Sequence, residues 1–362
     1  MRVLVIGSGG LMHTEPYLRA MLHAGWDVHW LLTRPGPLHV DGVTLHQGYG
    51  GGRYDTDWAK LGYFYWGIRA RRLIRHLGPD IIHAHYASSA GLMAWLSGYR
   101  PYAVTIHGSD LIDRSKTRIG RAVLRRVLGG AALVNPVAGH MLELLGRLRV
   151  PQERILVLPF GIDLQGFPYQ PRKDLFRDGI RLVCNRSLGA LTYDIPTVLR
   201  AVAEARRLGR RVFLSLPATG RLAPELKQLA ADLGIADAVA FGSGYRNDEV
   251  PAMLAAHDVY VSASLWDGAS LSLMEAMACG AFPVVSDIPA NLEWLRDGET
   301  ALLFPVGDWR RLGKIIATLP DRRDLIARAV AWNRQTIEAR GDRGKNMALL
   351  LERLQAVTTG AG

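Results

Sequence analysis

Asp267 and Glu275 stand eight positions apart in WDGASLSLMEAMACG (266–280), with small and hydroxyl residues between them. Two carboxylates so placed suit two chemistries: proton exchange, as in a glycosidase pair, or the holding of a hydroxyl-rich ligand. Histidines form a second theme. His83 and His85 alternate along one apolar run, and His107 lies near the end of another, YAVTIHG (102–108). Two imidazoles at a strand end could ligate a metal, yet no third ligand is evident, which favours packed or site-lining side chains. Asp55-Thr56-Asp57 is a D-x-D of the kind that can hold a metal, but its Gly/Tyr-rich surroundings favour a solvated loop. IGSGGLMH (6–13) follows one apolar run and opens a helical one, as dinucleotide fingerprints do. A third glycine would fall at Met12, however, and the next apolar run ends in LLTR, without an acidic ribose ligand. A tight glycine turn beside some other ligand is the better reading.

These residues sit on a regular frame. Short β-branched runs at 3–7, 27–32, 80–86, 102–108 and 132–136 alternate with helical patterns near 14–24, 58–77, 89–98, 117–129 and 137–147. The rhythm restarts at IRLVCNR (180–186) and continues through runs at 211–217, 238–242, 258–264 and 282–287. Such alternation implies right-handed βαβ crossovers and parallel sheets covered on both faces. VLPFGIDLQGFPYQP (157–171), rich in Gly and Pro, reads as a hinge between the two series. The pattern predicts an α/β protein of two doubly wound, Rossmann-like domains, 1–165 and 166–335, with 336–362 as a closing helix that returns toward the first. Ligands in such sheets bind beyond the carboxyl ends of the strands, so a cleft between the domains is the expected site.

Composition narrows the class. The chain has 362 residues, enough for two cores, and is 49% apolar without a window that could span a bilayer. Its opening residues run straight into the glycine turn, with no secretory h-region, which predicts a cytoplasmic protein. Cys184 and Cys279 are the only cysteines, too few for a disulfide framework or a structural zinc. Of the +11 net charge, residues 1–165 carry 19 Lys/Arg against 11 Asp/Glu, so +8 falls in the first domain. That imbalance suits an anionic partner. KLGYFYWGIRARRLIRHL (60–77) mixes aromatics with Arg at helical spacing and suits either a core-packed surface helix or one lying on an anionic bilayer. RSKTRIGRAVLRRVLG (114–129) raises the same question more weakly. No nucleic-acid-binding module is recognisable.

Four segments in order resemble the retaining glycosyltransferases of family 4, which have the two-Rossmann-domain GT-B fold. They are HAHYASSAGLMAWLSGYRPYAVTIHGSDL (83–112), LPFGIDLQGFP (158–168), CNRSLGALTYDIPTVLRAV (184–202) and SASLWDGASLSLMEAMACGAFPVVSDIPANLEWLRDGETALLF (262–304). The family's E-x7-E motif falls on Asp267 and Glu275. The resemblance implies that Glu275, on a helix starting near Ser270, accepts hydrogen bonds from the nucleotide ribose. Asp267, where the family usually has Glu, would contact hydroxyls of the donor sugar. Gly268 and Ala269 would let backbone approach the donor, while Ser270, Leu271 and Ser272 open the helix and aim free N–H groups at a phosphate. Arg186 matches the family's phosphate-binding arginine; the lysine that usually follows is replaced by Leu191, Thr192 and Tyr193, with Arg246 a conceivable substitute. His107, in TIHGSD, matches the family's histidine near the reacting sugar carbon. Gly9 and Gly10 match its donor-side glycine loop, and His13 and Glu15 are weaker candidates for acceptor contact.

The expected activity is therefore retaining, metal-independent transfer of a sugar from a nucleotide-diphosphate donor, with a UDP-sugar expected, to an acceptor hydroxyl. No cofactor or metal is required by this reading. The acceptor would be a glycan or lipid-linked sugar in polysaccharide or glycolipid assembly, with an anionic membrane surface as a further partner of the basic domain. The rivals are a non-hydrolysing nucleotide-sugar epimerase, which needs additional acid/base groups, and an idle nucleotide-sugar-binding partner subunit, which the Asp-for-Glu change and the missing Lys make conceivable.

Overall fold

The computed structural model describes residues 1–8, 11–33, 39–47, 62–170, 172 and 174–360, with the side chains of 11–13 left out. Two compact units divide the chain: Met1–Pro159 together with Lys345–Gly362, and Phe160–Gly344.

In the first unit the strands are β1 (Arg2–Gly7), β2 (Asp27–Leu32), β3 (Thr44–His46), β4 (Ile81–His85), β5 (Tyr102–Ile106) and β6 (Leu133–Pro136). They form one sheet in the order β3-β2-β1-β4-β5-β6, and every pairing is parallel. The helices are α1 (Leu11–His23), α2 (Gly62–Leu77), α3 (Gly91–Ser97), α4 (Ser109–Ser115), α5 (Arg118–Gly129) and α6 (Leu142–Arg147). The β-branched runs explain the sheet: Val3, Leu4, Val5 and Ile6 are fully buried, as strands covered on both faces must be.

The second unit repeats the plan. Its strands are β7 (Ile180–Val183), β8 (Val212–Leu216), β9 (Val239–Phe241), β10 (Val259–Ser262), β11 (Phe282–Ser286) and β12 (Leu302–Phe304), in the parallel order β12-β11-β10-β7-β8-β9. The helices are α7 (Ile195–Arg207), α8 (Ala223–Asp232), α9 (Val250–Ala255), α10 (Leu271–Cys279), α11 (Pro289–Leu292), α12 (Trp309–Thr318) and α13 (Arg323–Arg340), and α14 (Arg343–Thr359) carries the chain into its last residues. One core of this unit collects Leu182, Val198, Leu214, Val261, Phe282 and Ile316; another seats Leu273, Met274 and Met277 of α10 against Tyr260, Val285 and Ile337.

In both sheets the first strand of the series lies beside the fourth, so the strand order reverses between β1 and β4 and between β7 and β10. Turns at the carboxyl ends of those strands are where a doubly wound sheet binds its ligand. They hold Tyr86, Arg186 and Asp267. The expected pair of doubly wound α/β domains is observed, with two additions: the three-residue edge strands β3 and β12 had no signal of their own.

Candidate functional site

In the second unit, Arg186 lies three residues beyond β7, and the turn after β10 brings Asp267 to it. The guanidinium is nearly buried. Its Nη2 donates to Asp267 Oδ2 at 2.6 Å, and its Nη1 donates to Ser270 Oγ at 3.2 Å and Ser272 Oγ at 2.8 Å. The Tyr193 ring covers one face, 4.0 Å from the guanidinium carbon. Burial disfavours the charge, but Asp267 alongside reverses this and the pKa of Arg186 lies above its ordinary value.

Ser270 is the N-cap of α10: its backbone is extended and its hydroxyl accepts from the Leu273 N–H at 3.3 Å. That leaves the N–H groups of Leu271 and Ser272 at the helix's positive end. The two serines thus orient Arg186 and start the helix at once. Tyr260, beneath them, is hydrogen-bonded to Ser272 Oγ at 3.0 Å. Gly268 is buried, while Ala269 and Leu271 lean on the core around α10.

Glu275 sits one turn further along α10. Burial pushes its carboxyl up to about 7, against the pull of Arg343 and Arg186. Asn185, immediately before Arg186, is buried beside it, and its backbone carbonyl accepts from the Tyr245 hydroxyl at 2.9 Å. Where the resembling family places a second cation, this chain has exposed Leu191, Thr192 and the Tyr193 ring on Arg186. Arg246 is exposed and paired with Asp248 at 2.6 Å, which gives it a surface role.

The first unit holds a cluster of rings. His107 follows β5; its ring stacks on Tyr86 at 4.4 Å and on His85 at 5.4 Å, and His85 Nδ1 is 3.2 Å from His107 Nε2. Tyr17 of α1 meets the His85 ring edge-on at 4.6 Å. His83 is different: it lies in the sheet core, bonded to Thr105 Oγ1 at 2.8 Å, and burial drives its pKa down to about 3. It is therefore neutral and structural. Asp110, buried in the first turn of α4, accepts from the backbone N–H groups of Ala87, His107 and Gly108.

Among the weaker candidates, Glu15 pairs with Arg19 one turn on at 2.6 Å, and His13 lies on α1 with its side chain outside the described residues. Gly9, Gly10, Asp55 and Asp57 also fall outside them. Among the described residues, no group of three or more His, Cys, Asp or Glu is placed to hold a metal, and no helix is long and apolar enough to cross a membrane. Sequence reasoning missed Tyr86, Asp110 and Tyr193. Their only signal was position: each follows or lies in a turn at a strand's carboxyl end.

Comparison with known proteins fits this arrangement. The model of Glycosyltransferase Family 4 matches residues 8–165, and that of Glycosyl transferases group 1 matches residues 191–335. The chain is 30% identical over 281 residues to the MMP alpha-(1->4)-mannosyltransferase of Mycolicibacterium hassiacum, a match spanning 70% of this chain and 65% of that one. It is 26% identical over 289 residues to a GDP-mannose-dependent alpha-(1-6)-phosphatidylinositol monomannoside mannosyltransferase of Mycobacterium tuberculosis, covering 75% and 74%. Its backbone superposes on sucrose-phosphate synthase from Thermosynechococcus elongatus with a TM-score of 0.82, at 18% identity and over the full length of both chains.

Proposed function

The chain belongs to the family 4-type glycosyltransferases, with a GT-B fold, and from that premise we propose that it is a retaining hexosyltransferase using a nucleoside-diphosphate sugar. The observation that carries the reading is Arg186, held by Ser270 and Ser272 at the start of α10, with Glu275 one turn further in. Such an arrangement supplies a fixed cation and helix N–H groups for a diphosphate, and a carboxyl for the ribose hydroxyls. We read the second unit as the one that takes the nucleotide and the first, which carries His107, as the one that takes the acceptor.

In the step proposed, the acceptor oxygen bonds to the anomeric carbon on the face from which the diphosphate leaves. The sugar–phosphate C–O bond breaks as that bond forms, and the acceptor's proton passes to the departing phosphate oxygen. Arg186 and the α10 N-terminus stabilise the charge that collects there, which is the role a metal plays in other transferases. Orientation of the two substrates supplies much of the remainder.

For the donor we favour a guanine nucleotide over the UDP-sugar expected from the sequence; the support is the GDP-mannose in the name of the mycobacterial relative. The same name favours a glycolipid acceptor, with a polysaccharide as the alternative. α2 suits work at a lipid surface: Phe64, Tyr65 and Ile68 are exposed beside Arg69, Arg72 and Arg75.

The test is calorimetry and thermal shift with GDP, UDP and ADP, followed by transfer assays with the matching sugar nucleotides and NMR assignment of the product anomer, with and without chelator. A ligand at 100 times its Kd should add about 2.7 kcal/mol. If none of the three diphosphates binds, the proposed nucleotide site is wrong. An inverted product would overturn the mechanism alone.

A further inference from the structure

We propose that Asp110 is a positioning residue for His107, a single carboxylate that fixes the His107 backbone and the Tyr86–Ala87 turn together. This rests on the reading of His107 as the first unit's histidine at the reacting centre. The geometry is specific. Asp110 Oδ1 accepts from the N–H groups of His107 at 3.1 Å and Gly108 at 2.9 Å, while Oδ2 accepts from the Ala87 N–H at 2.6 Å. The two turns leave the carboxyl ends of neighbouring strands, β4 and β5, which pair from Ile82↔Tyr102 to His85↔Thr105. Asp110 thus bridges the end of the sheet where a ligand is expected.

Both turns are conformationally demanding. Tyr86 has φ 75° and Gly108 has φ 121°, left-handed values that only glycine adopts freely. A tyrosine in that region persists when its surroundings over-determine it. Here the Ala87 N–H is tied to Asp110, and the Tyr86 ring lies on the His107 ring. His107 is therefore held twice by one carboxylate: through its own N–H, and through the turn that presents Tyr86. The alternative is that Asp110 merely starts α4. A cap of that kind accounts for the Oδ1 bonds but not for Oδ2 reaching across to the other strand's turn.

Asparagine is the informative replacement. It keeps the volume, but its NH2 must face an N–H donor on one of the two turns. The experiment uses the full chain as wild type, Asp110→Asn, Asp110→Glu, His107→Ala and the double variant Asp110→Asn/His107→Ala. Histidine side chains are labelled with 15N, and turnover is measured with GDP-mannose and, where that is not turned over, with the UDP- and ADP-sugars of the transfer assay. In Asp110→Asn the His107 ring nitrogens should shift while those of His83, in the sheet core, stay. Turnover should fall about 30- to 100-fold with the donor KM changed less than about threefold, as expected when the displaced group acts at the reacting centre and not on the nucleotide. The double variant should be no slower than His107→Ala alone, because the two act as a unit. Asp110→Glu, which keeps the charge but reaches a methylene further, gives the same shift if Asp110→Asn does not fold.

Unmoved His107 resonances in the folded variants would overturn the proposal, as would losses that multiply in the double variant. If the wild type transfers no sugar, the transferase reading fails, and the histidine spectra alone decide the role of Asp110.

Discussion

Asp267 and Arg186 form a nearly buried ion pair, 2.6 Å apart, with side chains 17% and 9% exposed. The carboxylate expected to meet the donor sugar and the guanidinium expected to meet the diphosphate are thus each other's partners. A shorter acid than Glu suits this pairing, because the Asp267 carboxylate stays close to its own backbone turn while Ser270 and Ser272 hold Arg186 from the other side. An incoming diphosphate would compete with Asp267 for Arg186, leaving the carboxylate available to sugar hydroxyls.

Asp267→Ala should therefore act in two directions. Removing one partner of a buried pair strands the other charge, a loss of roughly 3–5 kcal/mol in the free protein. Added nucleoside diphosphate supplies a new counter-ion, so the variant should gain more stability on binding than the wild type does. Transfer should still fall about 100-fold, since the sugar loses its contact. Urea unfolding with and without diphosphate measures the first effect, and turnover the second. Equal ligand-induced stabilisation of both proteins would show that Arg186 does not reach the phosphates.

Glu275 permits a prediction with a defined pH window. Its pKa is raised from 4.5 to about 7 by burial, so the native state holds a proton that the unfolded chain releases. The associated stability is complete below about pH 4.5 and is lost as pH rises through 7. Glu275→Gln removes this dependence and should leave the protein more stable than wild type at pH 8, by an amount of order 3 kcal/mol, with little difference near pH 4.5. At pH 8, where Glu275 is ionised, nucleotide affinity should move the other way, falling about ten- to hundredfold with loss of the charged acceptor. Unfolding at both pH values and calorimetry check the two halves; a variant that binds nucleotide as tightly as wild type would remove Glu275 from the ribose site.

How far the sequence foretold this can be judged at particular turns. The runs that form β2, β8 and β11 are read within a residue of their ends, because buried parallel strands are continuous apolar runs. Four other runs overshoot: expected strands to residues 86, 108, 186 and 264 end at His85, Ile106, Val183 and Ser262. In each case the overshoot covers the turn that carries the site. Tyr86, His107 and Arg186 directly continue or closely follow apolar runs, yet the backbone leaves the sheet there to present them. Periodicity cannot register that departure, since at the Tyr86–Ala87 turn it depends on Asp110, 23 residues beyond Ala87. The edge strands β3 and β12, three residues each, are too short to show a period at all.

α2 carries the membrane prediction. Phe64, Tyr65 and Ile68 are exposed on the helix whose buried face is Tyr63, Gly67, Ala70 and Ile74, and Arg69, Arg72 and Arg75 extend the exposed side. Co-sedimentation with phosphatidylglycerol vesicles should be strong at low salt and weak near 1 M, where the Debye length is about 3 Å. Ile68→Glu should abolish it without changing thermal stability, because the side chain is exposed. Pelleting that persists in Ile68→Glu, or none in the wild type at low salt, would leave α2 as an ordinary surface helix.

The last prediction concerns the place of the missing cation. Tyr193 lies 4.0 Å over the Arg186 guanidinium, where it excludes water from one face and adds a cation–π contact. That contact is worth about 2 kcal/mol when desolvated, or somewhat less if water retains access. Tyr193→Phe keeps the ring and should bind diphosphate as the wild type does. Tyr193→Ala opens Arg186 to solvent, and affinity should fall about tenfold as the guanidinium loses both its fixed position and its low-dielectric surroundings. Leu191, on the same turn, is 69% exposed, so a lysine fits there without cost to the core. Leu191→Lys would return a second positive charge to the segment, and diphosphate affinity should rise several-fold at low ionic strength, with the gain fading as salt is added. Calorimetry across a salt series separates the cases. A gain in Leu191→Lys beside a loss in Tyr193→Ala means that the turn faces the phosphates and that an aromatic lid does part of a cation's work. If Tyr193→Ala binds normally and Leu191→Lys gains nothing even at low salt, the 191–193 turn lies away from the diphosphate, and Arg186 acts with the α10 N-terminus alone.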